Sequence, residues 1–159
     1  MKKFELTSEF ITNIFGTKLF RIKALIEFGN VKAGELGGFV EKEENLSQDG
    51  NAWVYDSARV YGDARVCDNA RVYGNAWVCG DARVHGNAGY ATVHGFGSEY
   101  RTTTFFKTKA GDIGVKCGCF YGNLSEFRKK VVETHGETKK AKEYLMLADL
   151  MEFRFSDNS

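Results

Sequence analysis

Between Ala52 and Asn87 the chain repeats one six-residue unit with little variation, NAWVYD-SARVYG-DARVCD-NARVYG-NAWVCG-DARVHG. A repeat this short and this regular restricts the chain to stacked coils of strand. Each unit carries alanine, then arginine or tryptophan, then valine, then an aromatic residue, Cys or His, and it closes on Gly or Asp followed by Asn, Asp or Ser. Strand alternation puts the alanine and the valine on one face and the residue between them on the other. One unit is too narrow to bury its own apolar face, so successive coils must cover one another.

Three units per triangular coil, about 18 residues, is the geometry of hexapeptide-repeat β-helices. With that offset Ala52 lies beneath Ala70 and Ala88, Val54 beneath Val72, Val60 beneath Val78 and Val66 beneath Val84. The inner columns are uniform, as a narrow close-packed core requires. Gly62, Gly74, Gly80 and Gly86, each followed by Asn or Asp, supply the tight corners. The expected fold is mainly β: a left-handed parallel β-helix of about three coils, with an N-terminal β cap over residues 1–38, the repeat over 39–96 and an α+β module over 97–159.

The N-terminal runs Phe4–Leu6, Phe10–Phe15 and Lys18–Ala24 read as short strands with a hairpin turn over Asn13–Thr17, suited to covering an open coil end. Projecting the repeat backward places Leu46 and Val40 in the alanine column, so irregular coils begin near Phe39. After Val93 the rhythm stops. Arg101–Lys107 and Ile113–Phe120 read as a hairpin around Ala110-Gly111-Asp112. Asn123 with Glu126 forms a capping box for a helix ending near His135-Gly136. A second helix over Thr138–Ala148 follows, and the alternation of Met151–Phe155 predicts a final strand.

The near balance of Lys and Arg with Asp and Glu leaves a net charge of +1, which indicates neither a DNA mimic nor a strongly basic nucleic-acid binder. No apolar run approaches the roughly 18 residues of a membrane span, and MKKFELTSEF lacks the apolar core of a signal peptide. Cys67 and Cys79 stand singly in the repeat, and Cys117-Gly118-Cys119 make no disulfide framework. The expected location is cytoplasmic.

The stretch LFRIKALIEFGNVKAGELGGFVEKEENLSQDGNAWVYDSARV resembles the opening of the YdcK-like hexapeptide-repeat proteins, a group labelled as transferases. It also resembles short prophage-encoded proteins with GNARVYG repeats. The most specific part runs from Asn30-Val31-Lys32-Ala33-Gly34 through Gly37-Gly38-Phe39-Val40 to Asn45-Leu46-Ser47, which has no internal periodicity. The resemblance implies a left-handed β-helix and a bacterial or phage source. It carries over no catalytic motif.

Acyltransferases of this fold use a histidine as general base beside acyl-CoA. His85, inside the repeat with Asp81 and Asn87 at nearby corners, and His94, just beyond it, are the candidates. The same outer position holds Tyr55, Tyr61, Cys67, Tyr73 and Cys79, which also reads as a tolerant surface site. Cys117 and Cys119, with His135 or His94, would supply part of a zinc site, or simply pack as small apolar residues.

The outer positions are more informative. Trp53 falls beside Arg71, Arg59 beside Trp77 and Arg65 beside Arg83, on strands about 4.8 Å apart. The Trp/Arg pairs stack by cation-π contact. The Arg65/Arg83 pair repels unless Asp63, Asp68, Asp81 or a bound anion intervenes. Two exposed tryptophans and three exposed tyrosines, Tyr61 and Tyr73 among them, call for cover by the C-terminal module, by self-association as a dimer or trimer, or by a partner. The resulting expectation is a non-catalytic interaction protein of phage or prophage type. Its Trp53, Arg59, Tyr61, Arg65, Arg71, Tyr73, Trp77 and Arg83 face would bind a protein of the bacterial host, including an antiviral defence protein that it inhibits. It would need no cofactor. The alternatives are a hexapeptide-repeat acyltransferase using acetyl-CoA, and a nucleotide or nucleic-acid binder.

Overall fold

The computed structural model describes residues 2–86, 89–97 and 101–156. Ala88 and Asn87 lie outside them. The fold is mainly β, with short parallel strand pairs in the middle and helices at the C-terminal end. Six two-residue strands mark the repeat: β4 (Trp53–Val54), β5 (Arg59–Val60), β6 (Arg65–Val66), β7 (Arg71–Val72), β8 (Trp77–Val78) and β9 (Arg83–Val84). They pair in parallel as β4 with β7, β5 with β8 and β6 with β9, each in the register of Trp53 opposite Arg71, 71 − 53 = 18 residues on. Backbone bonds such as Trp53 N–H to Ala70 O at 3.1 Å and Arg65 N–H to Ala82 O at 3.0 Å tie each rung to the next. The alanine and valine of every unit from Ala52 to Val84 are no more than 1% exposed, so the inner columns are as the alternation requires. Gly62, Gly74 and Gly80 turn the corners with φ between 64° and 71°, and Asp56 and Asp68 take the same left-handed conformation at φ 54° and 59°. A short polar side chain makes Asp one of the few residues to tolerate it.

Before the repeat, β1 (Phe4–Thr12) and β2 (Lys18–Ala24) form the expected hairpin, closed by the Asn13 N–H to Thr17 O bond. β2 pairs with β3 (Leu36–Val40), and β3 continues in parallel into β5, so the N-terminal ribbon and one face of the repeat share a five-stranded sheet. Val40 sits opposite Val60 and Leu46 opposite Val66. Both therefore stand in the valine column, not the alanine column projected from the sequence. This pairing offset is longer by two residues than the 18 of the repeat, since 60 − 40 = 20. The extra length lies in the corner between Leu46 and Val54, where Gly50 turns with φ 71°.

Asn45, in a short 3-10 turn over Glu43–Asn45, is fully buried and closes the end of this coil. Its side chain donates to Gly62 O and Ala64 O and accepts from the N–H groups of Glu41 and Lys42. It thereby gives partners to buried backbone groups at this corner.

After the repeat, β10 (Tyr90–Phe96), β11 (Arg101–Lys107), β12 (Ile113–Cys117) and β13 (Phe120–Asn123) make an antiparallel meander. One face meets the repeat: Trp77 N–H donates to Thr104 Oγ1 at 3.0 Å, and Phe106 joins the repeat's core. The other face packs Phe105 and Val115 against α1 (Leu124–His135) and α2 (Lys139–Arg154). The capping box of Asn123 and Glu126 and the stop at Gly136 are as read from the sequence. The final strand is not formed. Met151 to Arg154 is the last turn of α2, because Met151 and Phe155 reach the core at helical spacing while Phe153 between them is 79% exposed. No described helix is long and apolar enough to cross a membrane.

Candidate functional site

The three outer walls of the repeat differ in what the rest of the chain does to them. On the first, Trp53 is 0% exposed rather than displayed beside Arg71. Phe4 and Phe28 of the N-terminal segment meet its ring edge-on at 6.2 and 5.3 Å, and its Nε1 has no hydrogen-bond partner. The N-terminal ribbon must bury its own apolar side, and the tryptophan wall is the apolar surface it finds. Trp53 is therefore a core residue, and Arg71 remains on the exposed side of this wall.

On the second wall the Arg59 guanidinium lies over the Trp77 ring at 4.6 Å, the cation-π pair expected from the 18-residue offset. The C-terminal sheet half-buries Trp77 and brings the Lys116 ammonium to 5.7 Å from it. Tyr61 is also half-buried, and burial pushes its phenol pKa well up, with the Cys79 thiol beside it at about 11 for the same reason. Tyr73 stays exposed, edge-on to Tyr55 at 6.3 Å.

The third wall, built on β6 and β9, meets the C-terminal sheet at its edge, where Thr108 bridges to Ala82 and Lys109 N–H donates to Asp81 O at 2.9 Å, and is otherwise the most open of the three. Arg65 is exposed and Arg83 half-exposed. The expected neutralisation of this pair by aspartates takes another form: Arg83 Nη1 donates to the backbone oxygens of Asp63 at 2.7 Å and Ala82 at 2.9 Å. The Asp63 carboxylate is held instead by Lys42 at 3.2 Å. Two shallow grooves of about 550 and 610 Å³ run beside these arginines. One is bordered by Glu43, Gln48, Cys67 and His85, the other by Lys42, Asp63, Asp81 and Lys109. Arginines alternate with acids along this face.

His85 lies on the same wall, in the outer column one position beyond the valine. Among the described residues it meets Cys67 and Asp68, one rung away, while Asn87 lies outside the described residues. Cys67 Sγ is 2.9 Å from His85 Nδ1, and Asp68 Oδ2 is 3.7 Å from the same nitrogen. The donor atoms of the three lie within 4.8 Å of one another, the sole such grouping among the described residues. The 18-residue offset that stacks Val66 on Val84 also stacks Cys67 on His85, so this contact was available from the sequence and simply not drawn from it. Burial raises the Cys67 thiol above its ordinary pKa, and the Asp68 carboxylate beside it adds to the rise.

The remaining candidates stay apart. His94 Nδ1 meets Thr102 Oγ1 at 2.9 Å in a separate cleft of about 500 Å³ with Tyr73, Tyr90 and Arg154. Cys117 ends β12, but Gly118 turns with φ 58°, so Cys119 is exposed on a turn and the two thiols do not share a strand face. Cys117 Sγ accepts from Thr103 Oγ1 at 3.2 Å. Cys117, Cys119 and His135 border one cleft of about 200 Å³, yet their donor atoms do not gather to ligand spacing and the His135 ring stacks on Tyr144.

Residues 64–80 match the family model described as the YdcK beta solenoid repeat. An Escherichia coli (strain K12) protein named "Uncharacterized acetyltransferase YdcK" is 37% identical over 67 residues, an alignment covering 38% of this chain. The chain spans about a fifth of that relative's length, since the alignment covers 21% of it. The resemblance of the repeat to YdcK-like proteins is borne out: residues 64–80 are a β-solenoid repeat of the YdcK kind.

Proposed function

We propose that this YdcK-type solenoid winds as a left-handed parallel β-helix of three coils, and that the protein is a non-catalytic interaction module whose Arg65/Arg83 wall engages a macromolecular partner. The observation that carries the reading is the unequal cover of the walls. The chain's own N-terminal ribbon buries Trp53 and its C-terminal sheet lies against Trp77, while on the β6/β9 wall, which that sheet meets at Asp81 and Ala82, Arg65 and His85 stay exposed. Arginines interspersed with carboxylates on a rigid surface suit recognition of a folded protein, where charge pattern fixes register and partner choice. A bacterial host protein, antiviral defence proteins included, is the partner class that the resemblance to prophage-encoded repeat proteins favours. Capture from a bacterial lysate tests this with three baits: the native chain, Arg65→Glu/Arg83→Glu, and Arg71→Glu on another wall. The expected result is one protein retained by the first and third and lost by the second; equal capture by all three would contradict the reading.

A second reading rests on the printed name of the E. coli relative together with the His85 groove. In an acetyltransferase His85 would be the general base, and acetyl-CoA would lie along the third wall. That reading requires acetyl-CoA to raise the melting temperature of the native chain and His85→Ala to abolish any transfer. A nucleotide or nucleic acid on the same arginines would instead give an affinity that falls steeply with salt.

A further inference from the structure

We propose that Cys67, Asp68 and His85 form a binding site for one divalent cation of the zinc class on the open wall. The three side chains come from two adjacent rungs, held together by the β6–β9 pairing and by the Cys67 N–H to Val84 O bond of 2.9 Å. The frame that carries them is therefore fixed. Around a single zinc ion, with bonds of about 2.3 Å to sulfur and 2.0–2.2 Å to nitrogen and oxygen, two ligand atoms cannot be more than about 4.5 Å apart. Separations of 2.9 Å for Cys67 Sγ to His85 Nδ1 and 3.7 Å for Asp68 Oδ2 to His85 Nδ1 fall inside that limit.

The donor set selects the metal. A thiolate with an imidazole and a carboxylate is borderline soft, which favours zinc over magnesium or calcium, whose sites are built from oxygen alone. Binding would draw the proton from Cys67, leaving two anionic ligands to balance the divalent charge. Three protein ligands leave a fourth tetrahedral position, and Cys67 and His85 border the groove shared with Gln48, Arg65 and Arg83. Arginines beside an ion already balanced by its own ligands suit an anionic or carbonyl group from outside as the fourth donor.

The test is titration of the chelator-treated full chain with cobalt(II), read by the sulfur-to-metal charge-transfer absorption, and with zinc(II) by calorimetry. The proposal predicts one ion per chain and a thiolate charge-transfer band. Cys67→Ser and His85→Ala each abolish both, whereas Cys117→Ser/Cys119→Ser leaves them unchanged. His85 is exposed, so its replacement leaves the fold intact and keeps the test informative if Cys67→Ser folds poorly. No band in the native chain, or a band that survives Cys67→Ser and vanishes in Cys117→Ser/Cys119→Ser, would overturn it.

Discussion

Trp53 and Trp77 occupy equivalent positions in their units and have opposite roles. Nothing within the hexads distinguishes them; the difference comes from Phe4 and Phe28, distant in sequence, which close over Trp53 alone. Trp53→Ala is expected to cost about 3–5 kcal/mol as a large core truncation, and Trp77→Ala distinctly less, both read from urea unfolding. Lys3 is a second residue whose setting the sequence did not reveal. It is 1% exposed, donates from Nζ to Ala52 O at 2.7 Å and sits over the Phe28 ring, and burial lowers its pKa from 10.5 to about 8. Between those values the unfolded chain holds this proton more often than the folded one does, so raising the pH across the interval favours the folded state. The native chain should therefore gain stability relative to Lys3→Met between pH 8 and pH 10, measured by denaturant midpoints at each pH. A constant difference would show that the amine keeps its ordinary affinity for protons.

The elements were legible where a short-range period sets them. The alanine and valine columns follow from the hexad alone, the β11/β12 hairpin from Ala110-Gly111-Asp112, and the start of α1 from the Asn123 and Glu126 capping box. Two elements were read differently because two periods competed. Leu46 and Val40 fit the alanine column until the longer corner after Leu46 shifts them to the valine column, and a corner length leaves no periodic trace. Met151, Phe153 and Phe155 fit a strand as alternate residues. As a helix they place Met151 and Phe155 on the core side and Phe153 in solvent, and the core formed with Tyr144 and Ala148 decides between the two. Met151→Ala should thus cost about 2–5 kcal/mol, while Phe153→Ala should stay within about 0.5 kcal/mol of the native stability. Similar losses for both in thermal unfolding would restore the strand.

For the molecule as a whole, the walls of the solenoid repeat have been divided between internal and external use. The ribbon β1–β3 and the sheet β10–β13 each take one wall, which explains why Trp53, Trp77 and Tyr61 find cover within the chain while Tyr73 stays exposed. The sequence offset correctly paired Arg59 with Trp77 and Arg65 with Arg83. It could not tell which wall remains open, because that depends on where the flanking segments fold back. The β6/β9 wall brings together Arg65, Arg83, Cys67 and His85, the face proposed to meet a partner. Hydroxyl-radical footprinting of the complex with the captured partner decides whether it does. Protection is expected at Arg65, Cys67, Arg83 and His85, with Met146, Leu150 and Phe153 on the exposed side of α2 as reactive as in the free chain. Protection confined to those α2 residues, with the β6/β9 wall unchanged, would contradict it.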